Sequence, residues 1–268
     1  MHRAAMYGTY SLATQEKVLR RMSTRQRMLL FIVIAIFYCM AVNLRQESSP
    51  TPPDVAGPLG CLPLPRLDVF RCPTWSFVTI GETVINRAPY PDTTVGLCFT
   101  DTTIELSFVA TQQNATFVNT NYGHNDNIWE YNVMETFLAL GASDPTEYFE
   151  FEVSPTNQTY SAFILNPRKD FSPPVGHFFV GKSEAEARAL GIAATTIANI
   201  GAGTWQSNVT LPLALFNVEA PSGTEWRMNF LRKITDEAIF PRQECGAWNA
   251  PNQDNFHETA CFGRVFFA

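Results

Sequence analysis

Apolar and polar positions change their rhythm once along the chain. Met28 to Val42 is an unbroken run of fifteen apolar residues, and Leu44 extends it if Asn43 is tolerated. Beyond it, apolar residues alternate with polar ones in short stretches. Thr102 to Ala110 places Ile104, Leu106 and Phe108 on one face. Tyr148 to Val153 places Phe149, Phe151 and Val153 on one face and Glu150 and Glu152 on the other. Tyr160 to Leu165, Ile192 to Ile200, Trp205 to Leu211, Trp226 to Leu231 and Arg264 to Phe267 read the same way. A two-residue period is that of a strand with one buried face. Turn residues separate these stretches at Asp101, Gly141 to Pro145, Ser154-Pro155, Gly201 to Gly203 and Ser222-Gly223. Only Ser183 to Leu190 reads as a helix. The pattern predicts an all-β fold, an antiparallel β-sandwich over residues 70–268. Trp75, Trp205 and Trp226 lie in alternating runs and are expected in its core. Glu150 and Glu152 are expected on a solvated outer face.

Charge sharpens the reading of the apolar run. Residues 1–27 carry six Lys/Arg against one acid, and residues 43–268 carry 13 against 24. Residues 1–27 thus read as a basic cytosolic tail and residues 28–44 as a signal-anchor or signal peptide. The run falls between the roughly 7–15 residues of a signal-peptide core and the roughly 20 of a spanning helix. The basic flank directs everything after it across the membrane. A type II membrane protein and a secreted one both fit, with Ala41 as the candidate cleavage site. Residues 45–69 hold six prolines, Pro50 to Pro65, and predict an extended stalk. A net charge of −6 argues against nucleic-acid binding.

Export agrees with two further features. Asn114, Asn157 and Asn208 each begin an Asn-x-Thr glycosylation acceptor. Five cysteines lie past the apolar run, and disulfides form in an oxidising compartment. Cys61 with Cys72 and Cys245 with Cys261 are the closest in sequence, and Cys98, in an apolar run, reads as a buried thiol. Gly176 to Ser183 matches the nucleotide-binding pattern GxxxxGK[ST]. Pro173 and Pro174 before it cannot be a central strand, so a surface loop without nucleotide is expected. Asn125-Asp126-Asn127 reads as a turn, with Asp126 as a candidate calcium ligand. The histidines show no zinc spacing.

Several segments, taken in order, resemble carbohydrate-binding module family 9 and its DOMON-like β-sandwich relatives. They are Ile128 to Leu138, Glu147 to Asn157, Trp205 to Pro212, Glu225 to Arg232, Trp248 to Pro251, Phe256-His257 and Phe262 to Phe267. Asn132 and Asn208 depart from the acidic residues usual at those places. The resemblance implies binding of mono- or oligosaccharides, or polysaccharide chain ends, between two tryptophans. Such stacking removes the apolar sugar face from water while its hydroxyls stay hydrogen-bonded. On this reading Trp129 and Trp248 are the walls, Glu135 is the hydroxyl acceptor, and Asn249 and Arg227 assist. Three other readings compete. Glycoside hydrolysis would use paired carboxylates such as Glu150 and Glu152. A DOMON-like haem module would need a Met/His pair from Met134, Met228 and His257. A structural sandwich would bind no sugar.

Overall fold

The computed structural model describes residues 61, 63–169, 174–251 and 255–268. The basic tail, the apolar run at 28–44 and most of the proline-rich stretch lie outside the described residues. Among those described, no helix is long and apolar enough to cross a membrane.

Among the described residues, thirteen strands form two sheets. The smaller sheet runs in the order β2 (Ser76–Glu82), β3 (Pro89–Phe99), β4 (Thr103–Ala110), β10 (Thr204–Pro212) and β9 (Ala193–Asn199). The larger runs β1 (Arg66–Val69), β13 (Gly263–Phe267), β11 (Glu225–Ile234), β5 (Val133–Leu140), β6 (Glu147–Val153), β7 (Thr159–Leu165) and β8 (Gly176–Phe179). There β12 (Glu244–Ala247) also pairs with β11. Every pairing between named strands is antiparallel except that of β1 with β13. The expected all-β sandwich is present, but it starts earlier than residue 70. Arg66–Val69, expected in the stalk, is a strand of the large sheet.

Alternation explains how the sheets stack. Ile104, Leu106, Phe108, Val209 and Leu211 of the small sheet meet Met134, Leu138, Phe149, Phe151, Trp226, Met228 and Phe230 of the large one. Phe108 and Phe230 pack edge to face at 6.4 Å. Trp205 and Trp226 are fully buried, as their runs predict, whereas Trp75 is exposed on the outer face of the small sheet. The helix α1 (Glu184–Ala189) follows its N-cap Ser183, whose side chain accepts from the Glu186 amide.

The disulfides differ from the nearest-neighbour expectation. Cys61 pairs with Cys261 and Cys72 with Cys98, with Cα separations of 4.7 and 5.1 Å. Cys98, expected as a thiol, sits in β3 beside the turn that carries Cys72. Cys245, expected to pair with Cys261, is a buried thiol of β12. Spatial proximity in the fold, not sequence distance, sets which sulfurs meet.

Candidate functional site

The large sheet is buried on both faces. On the side away from the small sheet, register places Glu135 opposite Glu152, and Glu152 opposite Tyr160. Lys233 follows two residues after Leu231, the partner of Glu135. Successive side chains alternate, so Glu135, Glu150, Glu152, Tyr160 and Lys233 share this side. The chain on either side of these strands folds over it. Ile128, Phe256 and Phe262 pack with Val133, Phe137, Tyr148 and Leu231 into a second apolar cluster. Glu135, Glu150 and Glu152 are consequently 2%, 4% and 1% exposed. The expected solvated face for Glu150 and Glu152 is therefore corrected. Phe137, Tyr148 and Ala162, the apolar neighbours on that face, were the signal for a second covered layer.

These groups line a cavity of about 350 Å³, closed further by Trp129, His177, Gln243, Phe256 and His257. Lys233 lines it beside Glu135. Its Nζ lies 2.8 Å from Glu135 Oε1, donates to the Trp129 carbonyl at 3.4 Å, and stands 5.0 Å over the Phe256 ring. Burial alone would lower the Lys233 ammonium, but the Glu135 and Glu152 carboxyls outweigh it and hold the proton on. Glu150 and Glu152 go the other way. Burial, then the Glu135 charge, pushes Glu150 up to about 8 and Glu152 well above its ordinary range. The two share a hydrogen bond. At neutral pH the floor thus holds one ion pair and carboxyls that keep their protons. Glu152 Oε2 is buried without a hydrogen-bond partner in the protein.

The aromatic rim is hydrogen-bonded into place. Trp129 packs edge to face on Tyr160 at 5.4 Å. Gln243 Nε2 donates to the Trp129 and Tyr131 carbonyls at 2.8 and 3.2 Å. The Tyr160 hydroxyl meets His177 Nδ1 at 2.6 Å, and the Tyr148 hydroxyl meets His257 Nδ1 at 2.5 Å. Burial, with Lys233 nearby, pushes His257 down to about 3, so it is neutral at physiological pH.

The sequence-derived candidates separate. Trp129 and Glu135 line the cavity. Trp248 packs on Phe230, at 5.7 Å, against the core between the sheets, on the other side of β11 from Trp129. The two indoles do not face each other across one cavity. Arg227 donates to the carbonyls of Phe262, Ala260 and Thr259 at 2.7, 3.1 and 3.4 Å. Asn249 donates through its amide to Asn229 Oδ1 and through Nδ2 to the Cys261 carbonyl, at 3.1 and 2.7 Å. Both residues pin the closing segment that brings Phe256 and His257 to the cavity. Sequence reading placed Tyr160 in a strand and Phe256 in a resembling segment but gave neither a role at the site, and it passed over Lys233, which no motif marks.

Asp126 Oδ2 accepts from the Gly123 amide at 2.7 Å, and Asn125 spans Gly181 and Ser161, so these polar groups build a turn. Met134 and Met228 lie in the core between the sheets while His257 stacks on Phe137 across the sheet, so they cannot form one axial pair. The stretch from Gly176, expected as a loop, begins as the edge strand β8. Its Lys182 amide is already taken by Glu186. Among the described residues, Cys61, Cys261 and Glu258 are the one cluster with metal-ligand spacing, and the two sulfurs are joined in the disulfide.

Compared with known proteins, the chain is 40% identical over 217 residues to an extracellular protein of Arthroderma benhamiae, covering 80% of this chain and 96% of that one. No family model matches it. A crystal structure from Bacteroides uniformis, of a protein assigned as carbohydrate-binding, is similar with a TM-score of 0.56 and 16% identity. The match covers 76% of this chain and 99% of that one, and it shows a shared fold. A family 9 carbohydrate-binding module from Caldicellulosiruptor kristjanssonii, solved with cellotriose, matches 76% of this chain and 93% of that one. Its TM-score is 0.43 and its identity 12%.

Proposed function

The chain belongs to the family of the Arthroderma benhamiae extracellular protein, and from that kinship and the cavity on the large sheet we propose that it is an exported carbohydrate-binding protein. One observation carries the reading: aromatic side chains and three buried carboxyl groups converge on one recessed cavity of about 350 Å³. That volume is at the small end of ligand pockets, which run about 300–1,000 Å³. A sugar ring needs an apolar wall for its C–H face and donors and acceptors for its rim. Trp129 and Phe256 supply the first. The protonated Glu150 and Glu152 donate as well as accept, and the Glu135–Lys233 pair adds a charged acceptor and donor. Trp129 and Glu135 remain the binding residues. Trp248, Asn249 and Arg227 act as its supports. The Bacteroides uniformis protein of the same fold, itself assigned to carbohydrate binding, agrees. Export is supported by the extracellular relative, the two disulfides and the apolar segment at 28–44.

The test is chemical-shift mapping with glucose, cellobiose and xylobiose on the full chain. Shifts centred on Trp129, Glu152 and Lys233, lost in Glu152→Gln, are expected. Shifts elsewhere, or none from the folded protein, would remove the assignment. A hydrolytic reading draws on one specific feature, a carboxylic acid held protonated at Glu150 beside the Glu135–Lys233 pair. Release of reducing ends from a polysaccharide panel, abolished by Glu150→Gln, would establish it. No release leaves binding alone.

A further inference from the structure

The outer face of the small sheet carries an arrangement unrelated to the cavity. Register aligns Phe77, Gly96, Ser107, Asn208 and Thr195 in one row across all five strands. The next row is Thr79, Thr94, Val109, Gln206 and Ile197. Neither row holds a charge. Phe77 is 61% exposed, Ile197 72% and Trp75 37%. The Phe77 and Trp75 rings lie over Gly96 so closely that a Cβ there would stand 3.0 and 3.1 Å from ring carbons. Exposed aromatic and aliphatic side chains set among uncharged polar ones mark a surface built for contact.

Asn208 opens an Asn-Val-Thr acceptor in the first of these rows. Its Oδ1 accepts from Ser107 Oγ at 2.9 Å and from Gln206 Nε2 at 3.4 Å, and its Nδ2 lies outside both bonds. Asn157 is less suited: it sits in a turn at φ 66° with Nδ2 donating to the Ala194 carbonyl at 3.4 Å. Asn114 is exposed in a loop off this face.

We propose that Asn208 carries an N-linked glycan whose first sugars lie along this row and stack on the Phe77–Trp75 platform. In the attachment, Asn208 Nδ2 loses a proton to the host transferase and bonds to the anomeric carbon of a lipid-pyrophosphate-linked oligosaccharide. The bond from that carbon to the pyrophosphate oxygen breaks, and the lipid pyrophosphate leaves with the electron pair. From Asn208 on β10 to Phe77 on β2 is three strand spacings, about 14 Å, a span that the first few sugars of a glycan core bridge. The C–H faces of those sugars meet the two aromatic rings, while Ser107, Thr195 and Gln206 meet their hydroxyls. The glycan thereby covers a face whose own side chains would otherwise invite self-association.

The experiment uses the full chain made in a glycosylating eukaryotic host with isotope-labelled sugars. Peptide mass spectrometry is expected to find Asn208 occupied, and nuclear Overhauser peaks are expected between glycan protons and the Phe77 and Trp75 rings. Phe77→Ser is expected to keep the occupancy and lose the peaks. Trimming the folded protein to a single sugar with an endoglycosidase is expected to lower Tm by about 2–4 °C and to leave the Phe77→Ser protein unmoved. Where Asn208→Gln is not secreted, the trimmed wild type supplies the comparison. An unmodified Asn208 in the secreted protein, an occupied one without ring peaks, or a glycosylated chain that dimerises through this face would each overturn the proposal.

Discussion

Replacing Glu150 with glutamine isolates the least ordinary feature of the cavity, an acid that keeps its proton at neutral pH. Its ordinary value is 4.5, and in the fold burial and then Glu135 push it up to about 8. The folded state therefore binds this proton more tightly than the unfolded chain does. The contribution to stability is fully present below pH 4.5 and is lost as pH rises through 8. Between those limits stability falls by about 1.4 kcal/mol per pH unit, about 5 kcal/mol over the window. A typical domain has about 5–15 kcal/mol in all, so the effect is large. The amide of the Glu150→Gln variant has no such proton to lose. Urea unfolding of wild type and Glu150→Gln at pH 4.5, 6, 7, 8 and 9 reads the difference. The variant is expected to gain on the wild type steadily from pH 5 to 8 and to hold a constant lead above pH 8.5. Parallel stability curves across that window would refute the reasoning and return Glu150 to an ordinary solvated carboxylate.

Lys233→Met removes the partner of Glu135, which is 2% exposed. A loss of about 3–5 kcal/mol is expected, largely recovered when Glu135→Gln is added; no recovery in the double variant would mean that the lysine acts through packing. Opening the Cys61–Cys261 bridge with a Cys61→Ser/Cys261→Ser pair frees a closed loop of 200 residues. The expected loss is about 2–5 kcal/mol, read by thermal unfolding, and an unchanged Tm would deny the bridge a role in stability.

The sandwich was legible because β4, β6 and β10 alternate cleanly and turn residues separate the strands. The helix was legible as the short run Ser183 to Leu190, and the structure makes Ser183 its cap. The short edge strands were not legible: β1 and β12 have four residues each, and β8 follows two prolines. Glu150 and Glu152 were misplaced because alternation reports two different faces without saying what lies over the second. The covering comes from segments far away in sequence, around Ile128 and Phe256, that only the fold brings together. Trp129 and Trp248 look alike in sequence, each next to a loop. The strand between them decides that one meets the cavity and the other the core.

The central claim is a sugar site on the outer face of the large sheet, with Trp129 as its wall. Calorimetric titration of the full chain with glucose, cellobiose, xylobiose and longer oligomers tests it most directly, run beside Trp129→Ala and Trp248→Ala. The account predicts sugar binding that Trp129→Ala abolishes with Tm nearly unchanged, and a Trp248→Ala protein that melts earlier yet still binds in its folded range. No binding by the folded wild type, or full binding by Trp129→Ala, would contradict it.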